Sequence, residues 1–136
     1  MALLTLPPLL SANEPSPSTI DPKRILELLD LSIEPPFIIA MGATWCPGCE
    51  KNAQQLNMLA QNWPVIYIHY DSEENKSPKN PLWRDYPDPN ATVLKKSGII
   101  AMPTTVFVTK GYHIENIIMG PLDLDQTFAL AQETIS

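Results

Sequence analysis

The order of apolar segments predicts a single α/β domain in which a mixed β-sheet carries helices on both faces. Three observations support this. Residues 37–41 (FIIAM) and 65–70 (VIYIHY) are short, nearly continuous apolar runs, as expected of strands buried on both sides. Between them Ala53, Leu56, Leu59 and Ala60 recur at helical spacing, which completes a βαβ unit. Downstream, 104–109 (TTVFVT) and 114–119 flank Lys110-Gly111, a hairpin pattern ahead of a last helix.

Element by element, Asp21-Pro22 pairs a helix N-cap with proline at the first helical position, and Ile25, Leu28 and Leu29 carry the helix to about Leu31. Glu34-Pro35-Pro36 ends it ahead of the first strand. The second helix begins near Cys46 and stops at Asn62-Trp63-Pro64. After the second strand, residues 71–90 form a polar, proline-rich insert with Trp83 and Tyr86 as its large apolar anchors. Asn90 is the expected cap of a short helix over 91–96, with Gly98 as its stop. Gly120-Pro121 breaks the chain before a closing helix marked by Leu122, Leu124, Phe128, Leu130 and Ala131.

The 136 residues suffice for one domain, expected over 21–136, preceded by an arm over 1–20. With 44% hydrophobic and 18% charged residues a packed core is within reach. The net charge of -6 argues against nucleic acid as a partner. No run approaches the length of a membrane-spanning helix. The arm begins MALLTLPPLLSA, the length of a signal-peptide core, with Ser11-Ala12 at a candidate cleavage point, and continues into a Pro/Ser-rich linker. No Lys or Arg precedes it, and Leu10 occupies a site where a small residue is preferred. The expectation is a periplasmic or otherwise exported protein, with the apolar start read as an export-signal remnant; the alternative is a cytoplasmic chain with an apolar arm.

The two cysteines, Cys46 and Cys49, sit three apart in Trp45-Cys46-Pro47-Gly48-Cys49, just past a buried strand and at a helix start. A thiolate there faces unpaired backbone N–H groups and the positive end of the helix dipole. Both lower the pKa of Cys46 from about 8.5 toward roughly 3.5–7.5. Pro47 is tolerated because its missing N–H would be unpaired anyway. Cys49, nearly a turn deeper, is expected to be more buried. Such a pair suits exchange: Cys46 attacks a disulfide and Cys49 resolves the mixed disulfide. Two other uses compete. Zinc needs further ligands, and His69 and His113 are badly placed to supply them. A structural disulfide across so short a loop stabilises little by chain entropy.

Together with Met102-Pro103-Thr104 before the third strand and Gly120 after the hairpin, this motif resembles the thioredoxin superfamily over residues 21–136. The resemblance implies a three-layer sandwich and a thiol–disulfide oxidoreductase that exchanges disulfides with protein substrates. It implies no cofactor, an unidentified redox partner for recycling, and a monomer. It implies a cis bond at Pro103 beside the dithiol. The backbone of Met102 would pair with a bound substrate strand. The implied groove is formed by Trp45, Tyr70, Met102 and Met119, flanked by Thr104 and Gly120. The chain also departs from the family. Ala40 stands where thioredoxin has a buried Asp, and Tyr67 where it has the partner Lys. Glu50 and Asp71 are candidate substitutes, although the pattern favours a solvated surface charge for each. The Pro-Gly dipeptide is the reverse of the thioredoxin order, which implies a potential between about -270 and -120 mV. A second function class is a thioredoxin-fold interaction module, an accessory subunit whose dithiol is not essential.

Overall fold

A computed structural model describes residues 20–43, 45–70 and 82–135. Most of the arm and the first part of the insert, 71–81, lie outside the described residues. Helix α1 spans Pro22–Leu28, strand β1 Phe37–Ala43, helix α2 Pro47–Leu59 and strand β2 Val65–Tyr70. Strand β3 covers Trp83–Asp88, helix α3 Thr92–Ser97 and strand β4 Thr104–Thr109. After a 3-10 turn over Lys110–Tyr112 come strand β5, His113–Met119, and helix α4, Leu124–Ile135.

The strands form one five-stranded sheet in the order β3-β2-β1-β4-β5. β1, β2 and β3 run parallel; β4 is antiparallel to β1, and β5 to β4. β1 lies at the centre and is buried along its whole length, which is why its sequence lacks alternation. Alternate residues feed two cores. On one face Ile39, Met41, Ile66, Ile68, Val106 and Val108 pack with Ile25 and Leu26 of α1 and Val93 of α3. On the other, Ile38, Ala40, Val65, Tyr67, Trp83 and Phe107 pack with Leu56 and Leu59 of α2 and Ala131 of α4. This is the mixed sheet with helices on both faces that the element order predicts.

The details differ from expectation in three places. α1 stops at Leu28 rather than Leu31, because Leu29 caps it and the chain turns at Asp30 with φ of 52°. The insert contains a strand that its polar composition hides. β3 pairs with β2 along six residues, from Val65↔Trp83 to Tyr70↔Asp88. It tolerates Pro87 because it is an edge strand, where a missing N–H need not break a ladder. α3 is not capped by Asn90. Ala91 takes a left-handed conformation there, and the buried Asp88 carboxylate accepts from Val93 N at 3.2 Å and Leu94 N at 3.1 Å. A side chain from the end of β3 therefore does the work of a cap.

Asn52 fixes α2 to the rest of the fold. It is fully buried, its Oδ1 accepts from Leu122 N at 2.9 Å, and its Nδ2 lies 3.4 Å from Thr105 Oγ1. One side chain thus ties the helix that follows the dithiol to β4 and to the segment before α4.

Candidate active site

β1 ends at Ala43, and the chain turns directly into α2, with Cys46 N donating to Ala43 O at 3.2 Å. Cys46 is the N-cap residue in extended conformation, and Pro47 opens the helix. Cys46 makes no side-chain capping bond. Its sulfur is therefore at the end of the helix where unpaired N–H groups and the positive dipole favour an anion. Glu50 in the first turn opposes that preference. It is exposed, so solvent screens its effect. Cys46 and Cys49 are disulfide-bonded, their Cα atoms 5.3 Å apart. Cys46 keeps 7% of its surface and Cys49 2%. The order is the expected one, although Cys46 is more enclosed than an open nucleophile would be.

Pro103 and Gly48 meet at the mouth of the helix. The Met102–Pro103 bond is cis, as is Pro35–Pro36. A Cβ added at Gly48 would stand 2.9 Å from Pro121 Cγ and 3.8 Å from Pro103 Cδ. The absence of a side chain at Gly48 is what lets the dithiol turn close against both prolines. Gly120 has φ of 105°, a conformation that favours glycine, and its N–H donates to Pro103 O at 2.8 Å. That bond anchors the end of β5 to the proline loop.

The groove residues fall into two groups. Trp45 is exposed, with its ring edge-on to Tyr70 at 6.1 Å between centroids. Tyr70 and Met102 are partly buried and pack on Ala43, Cys46 and Cys49. Met119 is exposed, so it is not a core residue. Thr104 differs. It is buried, and its hydroxyl donates to Ala101 O at 2.6 Å, so its side chain is not offered to a ligand. Of the expected substitutes for the missing buried acid, Asp71 lies outside the described residues. Glu50 lies at the surface but on the wall of the cavity described next.

A cavity of about 630 Å³ opens beside both cysteines, and its inner wall is formed by Tyr67, His69, Trp83 and Asp85. Sheet register explains the grouping. Tyr67 pairs with Ala40 on one side and Asp85 on the other, and His69 pairs with Gly42. Residues two apart share a face, so all four project toward α2. Tyr67 stacks on Trp83 with centroids 5.1 Å apart and meets the His69 ring at 4.6 Å. His69 Nε2 lies 2.5 Å from Asp85 Oδ1, and Trp83 Nε1 donates to the same oxygen at 3.4 Å. Burial pushes the Tyr67 phenol up to about 12, and the Asp85 charge adds to the effect. Sequence reading singled out Tyr67 only as a departure and Asp85 not at all. Among the described residues, no group of three His, Cys, Asp or Glu is arranged to hold a metal ion.

No family model matches the chain. It is 32% identical over 114 residues to the thiol:disulfide interchange protein DsbE of Pseudomonas aeruginosa. That match covers 79% of this chain and 63% of the relative, so the chain spans less than two thirds of the relative's length. In structure it is similar to MTB DsbF, with a TM-score of 0.60 and 16% identity over 74% of this chain and 81% of that one. It is also similar to a secreted thiol-disulfide isomerase from Corynebacterium glutamicum, with a TM-score of 0.56 and 15% identity over 70% of this chain and 67% of that one. At such identities the structures speak for the fold. In fold the chain is thioredoxin-like.

Proposed function

We propose that this thioredoxin-like chain is a thiol–disulfide oxidoreductase that exchanges disulfides with protein substrates through Cys46 and Cys49. The observation that carries this is the placement of the pair: Cys46 at the N-terminus of a 13-residue helix, Cys49 behind it, both on one cavity wall. In the reduced protein the Cys46 thiolate attacks a substrate disulfide, forms a mixed disulfide and expels one substrate thiolate. The Cys49 thiolate then attacks Cys46 Sγ, closes the Cys46–Cys49 disulfide and expels the second. The protein loses two electrons and the substrate gains them; the reverse sequence oxidises a substrate. Two sulfurs store the electron pair, so the cycle uses no cofactor, and a separate redox protein restores the starting state.

Trp45, Pro47, Gly48 and Pro103 shape the mouth of the site, and Tyr70, Met102, Met119 and Gly120 form the groove that receives an extended substrate segment. Methionine side chains at Met102 and Met119 suit varied sequences because they adapt their shape. The β3 side of the insert faces a different part of the cavity and supports a role in partner choice. We place the protein outside the cytoplasm, as a monomer. The apolar arm and the similarity to a secreted isomerase support export.

The test is trapping. A Cys49→Ala variant expressed in the native cell is expected to stall as a disulfide between Cys46 and its substrate. Reductant-sensitive adducts captured by Cys49→Ala but lost in a Cys46→Ala/Cys49→Ala double variant would support exchange. Full biological activity in a Cys46→Ser variant would favour the interaction-module reading.

A further inference from the structure

The resolving step needs Cys49 as a thiolate, yet Cys49 is nearly sealed and lies beside Gly42 of β1, a strand that carries no carboxylate. A group elsewhere has to take its proton. Three adjacent strands bring Gly42, Tyr67, His69 and Asp85 to the sheet face that α2 covers. A Cβ at Gly42 would overlap the Tyr67 hydroxyl and stand 3.2 Å from Cys49 Cβ. The phenol and the resolving cysteine therefore crowd the same bare patch of backbone. Behind them the His69 side chain keeps 14% of its surface while that of Asp85 keeps none.

We propose that His69, oriented by Asp85, accepts the Cys49 proton when the mixed disulfide is resolved, and that Tyr67 positions the thiol for that transfer. This rests on the exchange function proposed above. The Asp85 carboxylate, contacted by Trp83 Nε1 and His69 Nε2, holds a proton on Nε2 and leaves Nδ1 as the acceptor. As the proton leaves Cys49 for His69, the Cys49 electron pair forms the bond to Cys46 Sγ, and the substrate sulfur departs as a thiolate. The imidazolium then returns its proton to that thiolate or to solvent. Tyr67 stays protonated, so it donates a hydrogen bond to the developing sulfur anion and never acts as the base. Among the described residues, the titratable groups on the cavity wall are Cys46, Cys49 and Glu50 at the start of α2, Tyr67 and His69 on β2, and Asp85 on β3. Glu50 is exposed to solvent at the helix start, whereas His69 stands on the sheet side with Tyr67.

The experiment mixes reduced protein with a bis(nitrobenzoate) disulfide in a stopped-flow instrument and follows the two coloured thiolates released per molecule. The first release reports Cys46 attack and the second reports Cys49 resolution. In His69→Gln the second release is expected to slow on the order of 10²-fold at pH 7 and to recover as pH rises toward the free-thiol value, with the first release unchanged. Asp85→Asn and Tyr67→Phe, which remove few atoms, are expected to shift the same pH profile in the same direction by less. Second-release rates and profiles equal to wild type in folded Asp85→Asn and His69→Gln would overturn the proposal. So would equal slowing of both releases, the mark of a merely structural role. A wild-type protein that releases only one thiolate would instead overturn the exchange function itself.

Discussion

The two faces of the five-stranded sheet differ in what they carry. Toward α1 and α3, Ile39, Met41, Ile66 and Ile68 form an unbroken aliphatic layer. Toward α2, the alternate positions of the same strands, with β3, carry Ala40, Gly42, Tyr67, His69, Trp83 and Asp85. A shift of one residue along a strand separates a layer that only stabilises from one that also holds a phenol, an imidazole and a carboxylate beside two sulfurs. Both faces carry core, but the chemistry is confined to one, with the strand pleat as the divider. Variants on the aliphatic face should therefore change folding and leave the thiols alone, whereas variants on the other should reach the thiols as well as the folding.

The largest effect is expected on the aliphatic face. Ile68→Ala removes a fully buried side chain and should cost about 2–5 kcal/mol in chemical denaturation, while the Cys46 alkylation rate stays at the wild-type value. A change in that rate would break the division. Tyr67 sets the next largest. Its pKa is raised from 10.0 to about 12 on folding, so its contribution is fully present below pH 10 and lost as pH rises toward 12. The loss is on the order of 2–3 kcal/mol and should be absent in Tyr67→Phe, as read from denaturation midpoints across that window. Gly42→Ala comes third. The added methyl displaces the Tyr67 hydroxyl at a cost of about 1–3 kcal/mol, and it should also slow resolution by Cys49. The smallest effect is Asp88→Ala, which strips two N–H partners from α3 and should lower stability by about 1 kcal/mol with disulfide exchange intact.

The aliphatic face was legible from pattern, and the chemical face was legible only in part. β2 and β4 have their expected bounds because runs of β-branched and aromatic residues leave little choice. The dithiol was legible because two cysteines at that spacing, between a strand and a helix, have few other uses. β3 was missed because WRDYPD mixes charge with proline and lies in a polar stretch. Its signal was period two: Trp83 and Asp85 are buried while Arg84 is exposed. Without β3 the partnership of His69 with Asp85 is invisible, since 16 residues separate them and only the β2–β3 register brings them together. The setting of the Thr104 side chain was illegible for a related reason. A motif assigns a position in the chain, whereas the hydroxyl's partner, Ala101 O, depends on how the loop folds.

Cys46 caps the start of α2, a position that stabilises its anion. Measuring the alkylation rate of the reduced protein with iodoacetamide across pH 4–10, with Cys49→Ala to isolate one thiol, tests it directly. The helix-mouth position predicts a Cys46 midpoint below that of a free thiol, within about 3.5–7.5. A midpoint at or above about 8.5, the value of an unperturbed cysteine, would contradict it.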